Sequence, residues 1–207
     1  MEDSVAIDLS KNKTRAVAND NDIAPWKQIA YSVGMSGLAS ILSIILVTLA
    51  FNGRLKVLYP REKLVLNNFS EKLEFTARYW VLSHLWIYTT LHIVWMKRML
   101  TNAINPLSGN EDRVRKYVNI NTNSIEQMLY SIVGQVTIIT CIDGEKTINI
   151  IPMLNALYII GRILFQAGYP NSRGFGMALT FFPVSLAMFY STFALIKFVD
   201  PGILKFE

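Results

Sequence analysis

The sequence predicts an all-α integral membrane protein with five transmembrane helices. Hydrophobic residues make up 52% of the 207 residues, and only 17% are charged, against about 25% in an average soluble domain. Five apolar stretches approach the length of about 20 residues that a helix needs to cross a bilayer core. The net charge of +5 does not indicate nucleic-acid binding, because no basic and aromatic platform accompanies it.

The amino-terminal part divides into a tail and an additional span. We predict a flexible polar tail over residues 1–28, because its charges are mixed and it has no apolar period. Residues 29–51 follow as a transmembrane helix without a charged residue. Small residues on one face of this helix, Ala30, Gly34 and Gly37, would let a neighbouring helix approach closely.

A polar connection, residues 52–78, leads to the second span. It mixes charged with apolar residues, so we expect a lumenal or interfacial segment, with room for a short helix lying on the membrane. Asn68-Phe69-Ser70 is a glycosylation sequon, which acts only on the lumenal side. The second span covers about 79–96 and ends before two basic residues, Lys97 and Arg98.

We expect neither a metal site nor a disulfide. His84 and His92 lie about 80° apart around the second span, which is a poor arrangement for a shared metal ion. We therefore expect both histidines to pack against other helices. Cys141 is the only cysteine, so no disulfide can form within the chain, and inside an apolar run it is typical of a small core residue.

A charged hairpin forms the third and fourth spans, Ile125–Ile142 and Ile148–Phe165, with the turn predicted over residues 143–147. Counted from a turn centre at Glu145, Glu126 lies 19 residues back and Arg162 lies 17 forward. At about 1.5 Å per residue the two side chains reach a similar depth. An ionisable group at mid-bilayer costs about 2.5–3.5 kcal/mol and normally has a partner. We therefore expect Glu126 and Arg162 to pair.

Each helix of the hairpin continues this polar feature along one face. The polar residues of the first helix are Asn119, Asn123, Glu126 and Tyr130, and those of the second are Asn155, Tyr158, Arg162, Gln166 and Tyr169. Lipid cannot satisfy such groups, so neither stripe should face lipid. Two interpretations remain open, namely hydrogen bonding between helices and a ligand site.

The fifth span covers about 177–197, and Pro183 should bend it. A short tail, residues 199–207, follows. Five spans place the two termini on opposite sides of the membrane. Ten basic residues on the amino-terminal side against nine on the other give the positive-inside rule little to decide. A cytosolic amino terminus is favoured because it places Asn68 in the lumen.

Residues 79–198 resemble the MAPEG superfamily, the membrane-associated proteins in eicosanoid and glutathione metabolism. The matching features are a basic stretch at 113–116, Asn123-Ser124-Ile125-Glu126, and Arg162 seven residues before Tyr169. Asn-x-x-Glu on the second family helix and Arg-x6-Tyr on the third are typical of that superfamily. The additional first span is similar to that of its mattrin-type members.

The resemblance implies a left-handed four-helix bundle over residues 79–198 that assembles as a homotrimer in endomembranes of the endoplasmic reticulum, Golgi or lysosome. It implies glutathione as the possible cofactor, bound near the cytosolic face, with Asn123, Glu126, Arg162 and Tyr169 as binding residues. No catalytic residue is assigned. Glutathione carries carboxylates suited to arginine and an amine suited to Glu126.

Two functions therefore stay open. The first is a non-catalytic structural or interaction protein of the endomembrane system, with possible protein partners. The second is a glutathione-dependent transferase or peroxidase acting on lipophilic substrates. Residues 119–122, Asn-Ile-Asn-Thr, carry no charge where the enzymes of the superfamily tend to present cations, and this difference favours the first function.

Overall fold

The computed structural model describes residues 25–60, 64–105 and 109–199, and every regular secondary-structure element within them is a helix. The all-α prediction is thus confirmed for the described part. A short 3-10 helix, Glu111–Arg113, precedes the third of the five long helices. These are α1 (Pro25–Phe51), α2 (Phe69–Leu100), α3 (Arg115–Cys141), α4 (Gly144–Gly168) and α5 (Gly174–Val199).

Among the described residues, three helices are long and apolar enough to cross a membrane: Ile29–Phe51 within α1, and the whole of α4 and α5. The chain is thus compatible with an integral membrane protein. α2 and α3, predicted as further spans, do not reach the same apolarity. Tryptophan, tyrosine and histidine lower the hydropathy of α2, and the amide-bearing polar stripe lowers that of α3.

Four of the helices form a ring in which α2, α3, α5 and α4 are successive neighbours. α1 packs outside the ring against α4 and α5. α3 and α4 are consecutive in the chain, yet they share only a small contact, because they occupy opposite corners of the ring. α4 is the most enclosed helix, and it presents apolar and polar side chains alike to the bundle interior.

The helix boundaries differ from the predicted ones at the amino-terminal end. α1 begins at Pro25, so the last residues of the predicted tail are helical. The remainder of that tail, residues 1–24, lies outside the described residues, as do residues 200–207. The predicted surface helix is instead the first part of α2, which begins at Phe69 and runs without a break.

Asn68 is the N-cap of α2. Its Oδ1 accepts a hydrogen bond of 2.9 Å from the backbone N–H of Glu71, and its Nδ2 donates to the Glu71 carboxylate at 2.9 Å. The same carboxylate accepts from the backbone N–H of Asn67 at 2.6 Å. The Asn68 side chain thus satisfies one N–H group that the first turn of a helix leaves free, and the Glu71 carboxylate satisfies the N–H of the residue before the cap. These hydrogen bonds explain why the helix begins here.

The connection between α3 and α4 is shorter than predicted and consists of Ile142 and Asp143. Asp143 is the N-cap of α4, where its Oδ1 accepts from the backbone N–H of Lys146 at 2.8 Å. Residues 144–147, predicted as turn, are therefore the first turn of α4. Asp-Gly-Glu-Lys is typical of a turn in sequence, but an N-cap followed by a polar first turn has the same composition.

α4 and α5 approach closely at two glycines. A Cβ placed on Gly161 would meet the Thr180 side chain at 2.5 Å and the carbonyl of Gly176 at 2.9 Å. A Cβ on Gly176 would collide with the backbone of Phe165. The backbones thus touch because neither residue has a side chain, which brings α5 directly against the helix that carries Arg162. Gly34 and Gly37 of α1 have nothing within 4 Å of such a Cβ.

Candidate functional site

Arg162 is fully buried among α3, α4 and α5. Its Nη1 donates a hydrogen bond of 2.7 Å to Oδ1 of Asn123, and its Nη2 donates one of 2.6 Å to Oγ1 of Thr180. The guanidinium also lies 4.6 Å from the ring centroid of Phe165. Three helices are therefore joined through one side chain. Nε of Arg162 has no hydrogen-bond partner among the described residues.

The expected pairing of Arg162 with Glu126 is not what the structure shows. In the described part of the chain, the acceptors of Arg162 are Asn123 and Thr180, and Glu126 is exposed without an ion pair. The position of the turn is the reason. Asn123 lies 20 residues before Asp143 and Arg162 lies 19 after it, so these two residues share a depth and Glu126 lies nearer the turn.

The part of the α4 stripe nearest the turn connects helices. Tyr158 donates its hydroxyl to the carbonyl of Ser124 at 2.9 Å. Asn155 is fully buried, and its Nδ2 donates to Oε1 of Gln135 at 3.0 Å. The indole N–H of Trp80 donates to the same Gln135 oxygen at 3.1 Å. For these residues the interpretation as hydrogen bonding between helices is the one that fits.

The other end of both stripes lines a polar pocket of about 300 Å³, formed by α3, the end of α4 and the start of α5. Three of the four predicted binding residues contribute to it, and Arg162 lies behind its wall. The polar side chains at this pocket are those of Asn119, Thr122, Asn123, Glu126, Tyr169 and Arg173. Phe165 and Met177 provide apolar surface.

Tyr169 is held at the pocket by two neighbours. Nδ2 of Asn119 donates a hydrogen bond of 3.2 Å to its hydroxyl. The guanidinium of Arg173 lies 5.6 Å from the centroid of its ring, within cation–π distance. The phenol hydroxyl can still donate to a ligand, because the amide uses it as an acceptor.

The pocket brings one carboxylate, Glu126, and one guanidinium, Arg173, to the same cavity. Both side chains are exposed, so each can contact a bound molecule. Arg173 and Thr180 were not among the predicted binding residues. Arg173 lies in the non-helical link between α4 and α5, so its spacing from Tyr169 gave no indication that it would line the pocket. A threonine in an apolar span, such as Thr180, gives no signal, because its hydroxyl usually bonds its own helix.

No group of three or more histidine, cysteine or acidic side chains is placed to hold a metal ion in the described residues. His84 and His92 are both exposed on α2, so the expectation that they pack within the chain is wrong. Nδ1 of His92 lies 2.9 Å from the carbonyl of Tyr88, one turn earlier on the same helix.

The geometry thus combines a buried arginine that ties three helices together with an adjoining pocket suited to a small molecule carrying both charges. No family model, curated protein or solved structure matches the chain.

Proposed function

We propose that the chain is a polytopic membrane protein of five spans, of which the last four form a MAPEG-like bundle, and that it serves a non-catalytic structural or interaction role. The observation that supports this most directly is the burial of Arg162. Its two terminal nitrogens are used by Asn123 and Thr180, and none of its surface is exposed. A cation that activates a substrate must be able to contact the substrate. The buried guanidinium of Arg162 instead stabilises the contact among three helices.

The outer surface supports placement in a membrane. α1 presents a largely apolar exterior, and α2 exposes apolar and aromatic side chains, including Val81, Leu85, Leu91 and Trp95. At about 1.5 Å per residue, the 32 residues of α2 are long enough for a bilayer with its headgroup regions, which measures about 40–45 Å. Resistance to alkaline carbonate extraction tests this placement, and release into the soluble fraction would contradict it.

Assembly as a homotrimer in endomembranes, with the amino terminus cytosolic, completes the proposal. Glu126 and Arg173 are exposed on one chain, although charged groups at membrane depth normally face protein or water. Neighbouring copies would cover this polar surface. Native mass measurement in mild detergent would give three chains, and a monomer alone would count against assembly.

A second candidate is a glutathione-dependent transferase or peroxidase, and the polar pocket favours it. Glutathione carries two carboxylates and one amine, which suit Arg173 and Glu126 respectively. The Tyr169 hydroxyl and a nearby guanidinium would favour the thiolate, which is the reactive form of its thiol. In this case Asn123 and Glu126 would bind the tripeptide, and Arg162 would position Asn123.

Thermal unfolding with and without millimolar glutathione separates the two functions. A ligand that binds only the folded protein at 100 times its dissociation constant stabilises it by about 2.7 kcal/mol. We expect no shift and no conjugation of an electrophile. A shift that Arg173→Gln and Glu126→Gln abolish would establish the pocket as a binding site, and accompanying turnover would establish the enzyme. Lys116→Gln is the matched control, because Lys116 is exposed on α3 outside the pocket.

A further inference from the structure

A second cavity, of about 230 Å³, lies toward the opposite end of the bundle from the polar pocket. It is formed by α1, α3, α4 and α5. Its wall is almost entirely hydrocarbon and aromatic, with Val47 and Phe51 from α1, Ile150 and Leu154 from α4, and Tyr190 from α5. The apolar wall excludes water as a stable occupant, because water needs two to four polar partners.

The surroundings of this cavity indicate what can enter it. The three helices apolar enough to span a membrane, α1, α4 and α5, all contribute to its wall, so acyl chains are the hydrocarbon available there. An apolar cavity of about 150 Å³ accommodates benzene. A cavity of about 230 Å³ therefore accommodates a segment of one acyl chain, and the rest of a lipid must lie outside it.

A charged pair marks the end of the cavity nearest the α3–α4 connection. Nζ of Lys146 lies 5.2 Å from the ring centroid of Phe51, which lines the cavity. The Phe51 and Tyr190 rings lie 5.9 Å apart at the same end. Lys146 also forms a salt bridge of 3.1 Å with Asp143, and 40% and 57% of the two side chains remain accessible to solvent. One cation and one anion are thus displayed together.

This charge pattern favours a headgroup that also carries both charges. A phosphate diester suits the ammonium of Lys146, and a primary amine suits the Asp143 carboxylate. A headgroup with net negative charge fits less well, because Asp143 and the exposed Glu145 flank Lys146 and would repel it. The pattern therefore selects among phospholipids in addition to attracting them.

We propose that this cavity is a binding site for a zwitterionic phospholipid with an ethanolamine headgroup. One acyl chain lies against Val47, Phe51 and Leu154, and the phosphate contacts Lys146. The proposal rests on the membrane placement proposed above but not on any role of the polar pocket. Carbonate extraction tests the membrane placement separately. A failure of that placement can therefore be distinguished from a failure of the lipid site.

Native mass spectrometry of the full chain in detergent, titrated with phosphatidylethanolamine, tests the site. Lys146→Gln should weaken binding about tenfold or more, because it removes a charge-assisted contact. Val47→Phe should also weaken it by filling the cavity. The matched controls are Lys56→Gln and Leu42→Phe, which change similar side chains outside the cavity and should leave binding as in the wild type.

Lipids with the same acyl chains test the headgroup on the unaltered protein. Phosphatidylglycerol should bind more weakly than phosphatidylethanolamine, and diacylglycerol, which has no phosphate, more weakly still. Equal binding of diacylglycerol, tighter binding of phosphatidylglycerol, or variants that bind like their controls would overturn the proposal. The proposal would also be overturned if the Val47→Phe variant lost the mass of a second copy of the chain instead of the mass of a lipid. That result would show that the cavity is an interface between copies.

Discussion

The buried guanidinium of Arg162 donates to the side-chain oxygen of Asn123 at 2.7 Å, while Glu126, one turn along the same helix, has no ion pair in the described residues. The charge at the centre of the bundle is therefore held by neutral oxygens, namely an amide carbonyl and the hydroxyl of Thr180. A carboxylate is not required for its burial.

This arrangement predicts which neighbour of Arg162 matters for stability. Asn123→Ala should lower the free energy of unfolding in detergent by about 1.5–3 kcal/mol, because a buried charge loses an acceptor. Glu126→Gln should change it by less than about 0.5 kcal/mol, as is usual for an exposed position.

Double-mutant cycles with Arg162→Ala provide the control. Asn123 and Arg162 should show a coupling energy of at least about 0.5 kcal/mol, as residues in contact do. Coupling between Glu126 and Arg162, with none between Asn123 and Arg162, would show that Glu126 is the partner of Arg162 and contradict the amide contact.

The close approach of α4 and α5 predicts a large response to a single methyl group. Gly161→Ala and Gly176→Ala should each destabilise the fold by about 1–3 kcal/mol, because the added Cβ meets Thr180 or the Phe165 backbone. Gly37→Ala is the matched control, since a Cβ there meets nothing within 4 Å. It should stabilise α1 by about 0.5–1 kcal/mol. Thermal unfolding in detergent measures all three, and equal effects would argue against the packing described.

The α4 N-cap predicts a dependence on pH. The backbone N–H of Lys146 lowers the pKa of Asp143 from its ordinary value of 3.8. A lowered pKa in the folded state means that Asp143 contributes stability above pH 3.8, and that this contribution is lost as the pH falls below that value. Asp143→Ala should cost about 0.5–2 kcal/mol at neutral pH.

Asp143→Asn separates the cap from its charge. Asparagine caps a helix about as well as aspartate, so this variant should retain most of the stability at neutral pH. Its melting temperature should change less between pH 5 and pH 3 than that of the wild type. A wild-type profile that matches the profile of the Asp143→Asn variant over this range would show that the carboxylate adds nothing beyond the hydrogen bond.

Asn68 has two roles that substitutions can separate. The chain has a second glycosylation sequon, Asn12-Lys13-Thr14, in the amino-terminal tail. If the amino terminus is cytosolic, the chain expressed in eukaryotic cells should gain a glycan at Asn68 and none at Asn12, which a mobility shift reversed by glycosidase would show. Asn68→Asp should abolish the glycan and keep the N-cap of α2, whereas Asn68→Ala should abolish both and cost about 1 kcal/mol. A glycan at Asn12 would place the amino terminus in the lumen.

Much of the architecture could be predicted from sequence, because it depends on composition and period. The apolar runs gave the helices, and three of them are apolar enough to span a membrane. The partner of Arg162 could not be predicted, because a shift of a few residues in the turn moves every pairing between α3 and α4. The family resemblance grouped Asn123, Glu126, Arg162 and Tyr169, and all of these except Arg162 line the polar pocket. Arg173 completes the pocket from the link between α4 and α5. Residue spacing along a helix does not predict the direction of such a link.

The position of α5 in the ring determines when the core can form during synthesis. Thr180 belongs to α5, which follows the other four helices in the chain and packs against both α3 and α4. Until α5 has been made, Arg162 has Asn123 but lacks its second acceptor, and the polar pocket has no wall on the α5 side. Folding of α1–α4 as the chain emerges therefore cannot complete the core. A nascent chain stopped before residue 174 should remain an incompletely packed, protease-sensitive assembly of helices.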